Sequence, residues 1–278
     1  MLSKLKALLP ARFRKNAPTI PLIRLHGAIG VGSPLRPAIT FKAVDPLLIR
    51  AFKKGVPAVA LAINSPGGSA VQSAMIARRI RQLAAEHGVR VYAFCEDVAA
   101  SGGYWLASAA DEIHADSMSI VGSIGVISAS FGFQEAIAKL GIERRIHTAG
   151  EAKSILDPFE PEKPEDVARL TALQEDAHAV FKAHVRERRA GKLKGEEAEL
   201  FSGAFWSGQR ALDLGLIDGL GHMAEVLRAR YGKDMTLKPV EPAQGLSLRR
   251  LGLGASGEVA DAALQALEVR ALWSRFGL

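Results

Sequence analysis

Cysteine is nearly absent from this chain. A single residue, Cys95, stands among 278, so no disulfide framework can form within it, and the seven histidines lack the paired spacing of a structural zinc site. Cys95 is expected as a core residue of a strand. Aromatic residues are also scarce, at 6%. A net charge of +7 therefore comes without the aromatic-lined basic groove or finger spacing of a nucleic-acid binder, and Lys and Arg are spread along the chain. No long apolar run is present, so neither a membrane-spanning helix nor a secretory signal is expected. What is plentiful is apolar content, 48% over 278 residues, enough to bury a full globular core.

One local charge anomaly opens the chain. Lys4, Lys6, Arg12, Arg14 and Lys15 occur with no acid between Met1 and Lys15, while Leu2, Leu5, Leu8 and Leu9 share a helical face until Pro10 ends it. Residues 1–19 are expected to be a basic segment with two readings, loose adhesion to an anionic membrane surface or a solvated tail.

Beyond this segment strand and helix patterns alternate. "TIPLIRLHGAI" reads as a strand; Asp45 and Pro46 read as N-cap and first residue of a helix closed by Gly55; "VPAVALAI" reads as a buried parallel strand. The loop "NSPGGS" precedes a helix from about Ala70 to His87, closed by Gly88, and "VRVYAFC" is the next strand. Such alternation predicts parallel βαβ units. After Gly150, a loop with Pro158, Pro161 and Pro164 leads into a long helix to about Arg189. The stretch from Gly245 to Gly257 reads as a flexible joint before a C-terminal helix with Leu264, Leu267, Ala271 and Leu272 as its apolar stripe.

Two strand-to-helix turns carry candidate chemistry. In "INSPGGS" consecutive glycines let backbone N–H groups approach a ligand at a helix N-terminus, a geometry suited to an oxyanion. One βαβ unit later "AASGG" places Ser101 at the start of another helix, where the dipole favours developing negative charge beside its hydroxyl; taken alone, Ser101 also reads as an ordinary N-cap.

"INSPGGS", "ASGGYWLASAADEIHADSMSIVGSIGV", "GEAKSILDPF" and "WSGQRALDLGLIDGLG", in this order, resemble the signal peptide peptidase A family of serine peptidases, within the wider Clp-type protease and crotonase superfamily. The resemblance runs from about Ile20 to Tyr231 and implies an α/β ClpP/crotonase-like ββα superhelix. On that basis residues 20–232 form one catalytic domain and residues 233–278 an extension with a helix. It implies peptide hydrolysis by a Ser-Lys dyad, no cofactor, no metal, and a homo-oligomeric ring with active sites shared between subunits. Ser101 matches the nucleophile, Lys153 the general base, Gly68 and Gly102 the two oxyanion donors, and Ser123 the serine that orients the base. The compartment implied is cytoplasmic, peripheral at the inner face of the bacterial membrane.

Chemistry favours the same pair. Aligned on Ser117, the position of the Clp-type catalytic histidine is Gly122; His114 is expected to face solvent and His147 to be exposed or locally bonded, neither with a convincing carboxylate partner. Two further readings stay open: a crotonase-like acyl-CoA hydratase or isomerase, which needs carboxylates near the oxyanion hole, and a membrane-associated scaffold that has lost catalysis.

Overall fold

The computed structural model describes residues 17–32, 37–150, 152–242, 266–267 and 269–278. The basic N-terminal segment to Lys15, the Gly245–Gly257 joint and Leu264 lie outside the described residues.

The centre of the molecule is a parallel sheet. Strand β1 (Thr19–His26) pairs with β2 (Ala58–Ser65), which pairs with β3 (Arg90–Ala100), in registers such as Leu22↔Ala60 and Leu61↔Ala93. Helix α1 (Phe41–Ala51) joins the first two strands and α2 (Ala70–His87) the next two. Side chains alternate by twos along β2. Val59, Leu61 and Ile63 pack with Leu48, Ile76, Ile80 and Leu83 under the helices, while Ala58, Ala60 and Ala62 meet Tyr92, Phe94 and Leu227 on the other face. Both faces are covered, which is why the strand reads as a near-continuous apolar run.

At β3 the sheet forks. Its first half pairs with β4 (Glu112–Ala115) and its second half with β5 (Ile120–Gly122), all parallel. Between these strands comes α3 (Gly102–Ser108). A short helix α4 (Gln134–Lys139) lies on an exposed arm, followed by the long α5 (Pro164–Arg188) and one turn of α6 (Glu197–Leu200). Strand β6 (Phe205–Ser207) pairs antiparallel with β5, and α7 (Gly208–Asp213) leads to β7 (Gly219–Leu220) beside β4. After α8 (Met223–Tyr231) the sheet continues past residue 232, since β8 (Thr236–Pro239) pairs with β1.

Helix α2 and its caps occur as expected: the Ser69 hydroxyl accepts from Gln72 N–H and Gly88, at φ 62°, ends the helix. The start of α1 differs. Thr40 is the N-cap, its hydroxyl accepting from Ala43 N–H at 3.3 Å, and the Gln72 side chain accepts from Phe41 N–H at 2.7 Å. With those first-turn donors satisfied the helix begins five residues ahead of Pro46, and Asp45 bonds Arg79 at 2.7 Å instead of capping. The helix ends at Ala51, so Gly55 lies in the turn beyond it.

Strand β3 outruns its expected end at Cys95 because the β2/β3 register shifts: Ile63 pairs with Cys95 but Ser65 with Ala99. Between them Asn64 turns its side chain onto β3, accepting from Val98 N–H at 3.3 Å and donating to the Asp97 carboxylate at 2.6 Å. The freed backbone donor of the bulge is thereby satisfied. In the C-terminal helix, Leu267 and Ala271 are exposed; the inward residues are Val269, Leu272, Trp273 and Phe276.

Candidate active site

Ser101 directly follows β3, which is bonded on both flanks by β2 and β5, and its own N–H donates to Gly122 O at 2.8 Å. Its backbone is forced into φ 51°, ψ −121°, a conformation that costs a non-glycine residue about 1–3 kcal/mol. The Ser101 carbonyl accepts from Trp105 N–H at 3.0 Å, beginning α3, but the hydroxyl makes no capping hydrogen bond. Ser101 therefore occupies the N-cap position without capping. The elbow turns the side chain into a cleft of about 250 Å³ bordered by Pro66, Gly68, Gly102, Trp105, Val126 and Phe181.

The glycine turn after β2 presses against this elbow. A Cβ on Gly67 would lie 2.7 Å from Ser101 Cβ and 3.0 Å from Gly102 N, so only glycine permits the approach. Gly68 forms a parallel bridge with Ile29, in which Ile29 N–H donates to Gly67 O and Ser69 N–H to Ile29 O, each at 2.8 Å. In such a bridge the N–H of Gly68 points away from Ile29. Gly102 is the first residue of α3 and has no intrahelical acceptor for its own N–H. Ser101, Gly68 and Gly102 thus come together around one cavity.

Ser123 follows β5 directly and is buried at φ 53°, its N–H bonded to Ala204 O at 2.6 Å. Lys153 stands elsewhere. It is exposed in a turn, with its N–H on Gly150 O at 3.2 Å, and is not among the residues bordering the Ser101 cleft.

None of the seven histidines borders the cleft. His114, expected to face solvent, is buried in β4: its ring stacks on Phe94 at 5.5 Å and its Nε2 lies 3.3 Å from Glu112. It has a carboxylate partner, but on the wrong side of the sheet for Ser101, because β4 places alternate residues on opposite faces and His114 shares a face with Phe94. His147 is exposed. His184 on α5 stacks on Trp105 at 5.2 Å and contacts Ser108 Oγ at 2.9 Å. Since that hydroxyl donates to Trp105 O, Nε2 carries the hydrogen and donates to it, and burial holds the imidazole pKa below its usual value. His178 likewise bonds Ile124 O at 3.1 Å. These histidines fasten the long helix over the cleft.

Cys95 is buried, and desolvation pushes its thiol up to about 12, which makes it a poor nucleophile. Among the described residues, no carboxylate borders the cleft and Arg275 is its charged side chain. Glu96 pairs with His26 at 2.9 Å and Asp97 with Asn64. The described residues of the cleft border offer no carboxylate for the enolate chemistry of a hydratase or isomerase. Sequence reading passed over Asn64, Trp105 and Phe181. Asn64 lies inside "INSPGGS", and an amide at a strand end directly before a glycine turn is a usable signal for a bulge partner; the stacking of Phe181 on Trp105 at 4.5 Å joins residues far apart in sequence and leaves none.

The sequence profile of Peptidase family S49 matches residues 84–235, more than half of the chain. A Synechocystis sp. protein named as a putative protease is 34% identical over 73% of this chain and 69% of its own length. A Brucella melitensis protein named as the Na(+)/H(+) antiporter NhaA is 54% identical over 99% of this chain, which spans only 39% of that longer protein. Among the described residues of the present chain no helix is long and apolar enough to cross a membrane. The solved structure of a membrane-bound stomatin-specific protease superposes with a TM-score of 0.50 at 15% identity, covering 82% of this chain and 100% of that one, a likeness of fold. The α/β, ClpP/crotonase-like architecture, the glycine turn against a strained serine elbow and the profile match agree, and the chain belongs to peptidase family S49, the signal peptide peptidase A group of serine peptidases.

Proposed function

We propose that the protein is an endopeptidase that hydrolyses signal peptides or other membrane-derived and misfolded polypeptides through an acyl-enzyme on Ser101. The observation that carries this reading is the strained Ser101 elbow held against Gly67, with Gly68 and Gly102 bordering the same cavity. A neutral Lys153 amine takes the Ser101 proton as Oγ attacks the scissile carbonyl carbon. The tetrahedral oxyanion is held by the two backbone donors, and the lysine returns the proton to the leaving amine. Water then repeats the sequence and releases the acyl group. Ser123 orients the lysine. Peptides lie extended between the glycine turn and residues 125–127, with small or aliphatic side chains at the cleaved bond, since the border is apolar and narrow.

Lys153 reaches Ser101 from a neighbouring subunit in this proposal. Its support is the character of the arm that carries it. Ile127, Phe131, Leu140 and Ile142 are each more than half exposed, and α4 buries no residue, so the arm offers an apolar surface for a second copy of the chain. A head-to-tail ring would give each site a serine from one chain and a lysine from the next. The N-terminal segment adds weak attachment to the inner face of the cytoplasmic membrane.

Mixing tests the arrangement. Ser101→Ala and Lys153→Ala chains are each inactive, because a coupled pair fails when either member is removed. Unfolded, mixed equally and reassembled, they recover about a quarter of wild-type activity if neighbours assort randomly. No recovery in mixed rings verified by mass spectrometry refutes the shared site. Failure of a fluorophosphonate to label Ser101 refutes the nucleophile.

A further inference from the structure

The C-terminal helix, described at residues 266–267 and 269–274, stands at the mouth of the Ser101 cleft. Leu272 and Arg275, the latter just after the helix, border the same cavity as Ser101, Gly68, Gly102, Val126 and Ile127. One step around the helix, Val269 and Trp273 border a second cavity, of about 410 Å³, with His26, Gly27, Pro37 and Asn64. Phe276 packs with Val98, Ala100 and Ile120 and meets the edge of Phe205 at 5.1 Å. Val269, Leu272 and Trp273 lie on one helical face, and Phe276, in the turn that follows, extends it. That face is seated across the carboxyl ends of β1, β2, β3 and β5, where both catalytic turns emerge.

We propose that this helix is an intramolecular cap on the catalytic cleft, which must undock before a polypeptide can bind. The cleft it leaves is about 250 Å³, below the roughly 300–1,000 Å³ of pockets that hold even drug-sized ligands. An extended substrate needs the two strips beside Ser101, residues 66–68 and 125–127, and both share this one cavity with Leu272 and Arg275. The attachment suits a movable part. Val269 and Phe276 are nearly buried, at 5% and 8% exposure, but Leu272 and Trp273 are only half-buried and Arg275 is exposed. Its described contacts to the body of the protein run through one apolar face, so weakening that face should undock it. Substrate affinity is then reduced by the fraction of chains that are uncapped.

The inference rests on Ser101 as the nucleophile, and the experiment separates the two. Three chains are compared: wild type, a chain ending at residue 265, and Trp273→Ala/Phe276→Ala. Turnover of an eight-residue peptide and labelling of Ser101 by a small fluorophosphonate are measured in each. A cap predicts that peptide kcat/KM rises about tenfold in both altered chains, that labelling by the small probe changes less, and that the synthetic peptide 266–278 added to the shortened chain lowers turnover again. Unchanged or lower peptide turnover in an altered chain that keeps its native circular dichroism overturns the cap. The double variant decides the matter if the shortened chain does not fold. Absence of label on Ser101 strikes at the nucleophile alone, because peptide turnover compares the chains whichever residue is labelled.

Discussion

Replacing Gly67 by alanine places a methyl group 2.7 Å from Ser101 Cβ, 2.9 Å from Ala100 O and 3.0 Å from Gly102 N, all groups of the elbow. Two costs add. Gly67 sits at φ 100°, and a side chain held there costs about 1–3 kcal/mol. Overpacking a site whose nearest neighbours include backbone, unable to rotate away, costs about 1–3 kcal/mol more. The sum, about 2–6 kcal/mol, corresponds to a fall in Tm of roughly 5–20 °C for a domain of this size. Relief of the clash must widen the gap between the glycine turn and α3, and with it the separation of the Gly68 and Gly102 donors. A displaced oxyanion donor lowers kcat by about 100-fold or more.

Gly55→Ala is the control. Gly55 also has positive φ, 86°, but a Cβ there meets nothing within 4 Å. It should show the conformational cost alone, about 1–3 kcal/mol, with unchanged turnover. Scanning calorimetry and peptide hydrolysis on the two variants supply the comparison. A Gly67→Ala protein that melts with Gly55→Ala and retains turnover within about twofold of wild type would refute the claim that this contact sets the oxyanion geometry.

Three further outcomes are expected. Burial lowers the folded-state pKa of His184, so the unfolded chain takes up a proton first; stability present above about pH 6.5 is lost as pH falls below it, and His184→Gln should flatten that part of a Tm-against-pH curve. Cys95, with its thiol pushed up to about 12, should resist iodoacetamide at pH 8 until the protein is unfolded, with activity unaffected by the reagent; rapid alkylation of native protein would contradict its burial. Asn64→Leu removes the acceptor of Val98 N–H at a cost of about 1–3 kcal/mol, and because the bulge sets the advance of β3 toward Ser101, kcat should fall with KM little changed; an unaltered kcat would detach the bulge from catalysis.

The parallel core was legible because each of its strands and helices carries its own local signal. β2 is a run of apolar residues between turns, and α2 has Ser69 and Gly88 at its ends. Misread positions are those where another side chain supplies a partner that the local pattern does not show. The N-terminus of α1 was placed at Asp45 because Asp-Pro is a strong local start signal, yet Gln72, on another helix, accepts from Phe41 N–H and lets the helix begin earlier. His114, beside Asp116, is expected to face solvent, but the Glu112 carboxylate and the Phe94 ring, both on the sheet, give it an interior environment. The fork at β3 was invisible for the same reason. It needs Asn64 to absorb a register shift between two strands, and pairing of that kind is a property of two segments at once.

The proposed catalytic constellation divides along the same line. Ser101, Gly68 and Gly102 were readable because two short turns, each complete within a few residues, are laid side by side by one βαβ unit; the fold has only to put β2 beside β3. Lys153 has no such guarantee. It lies between α4 and α5, on an arm with large apolar side chains in solvent, and nothing in the sheet fixes where that arm points. The proposed chemistry demands a surface that will cover the Lys153 amine and exclude water around it. A neighbouring chain packed on the exposed apolar residues of the arm would supply that surface by the same contact that closes the ring. Catalytic competence and assembly would then be one event, and dilution to separated chains should abolish peptide turnover while leaving the Ser101 elbow, which is built wholly within one chain, intact.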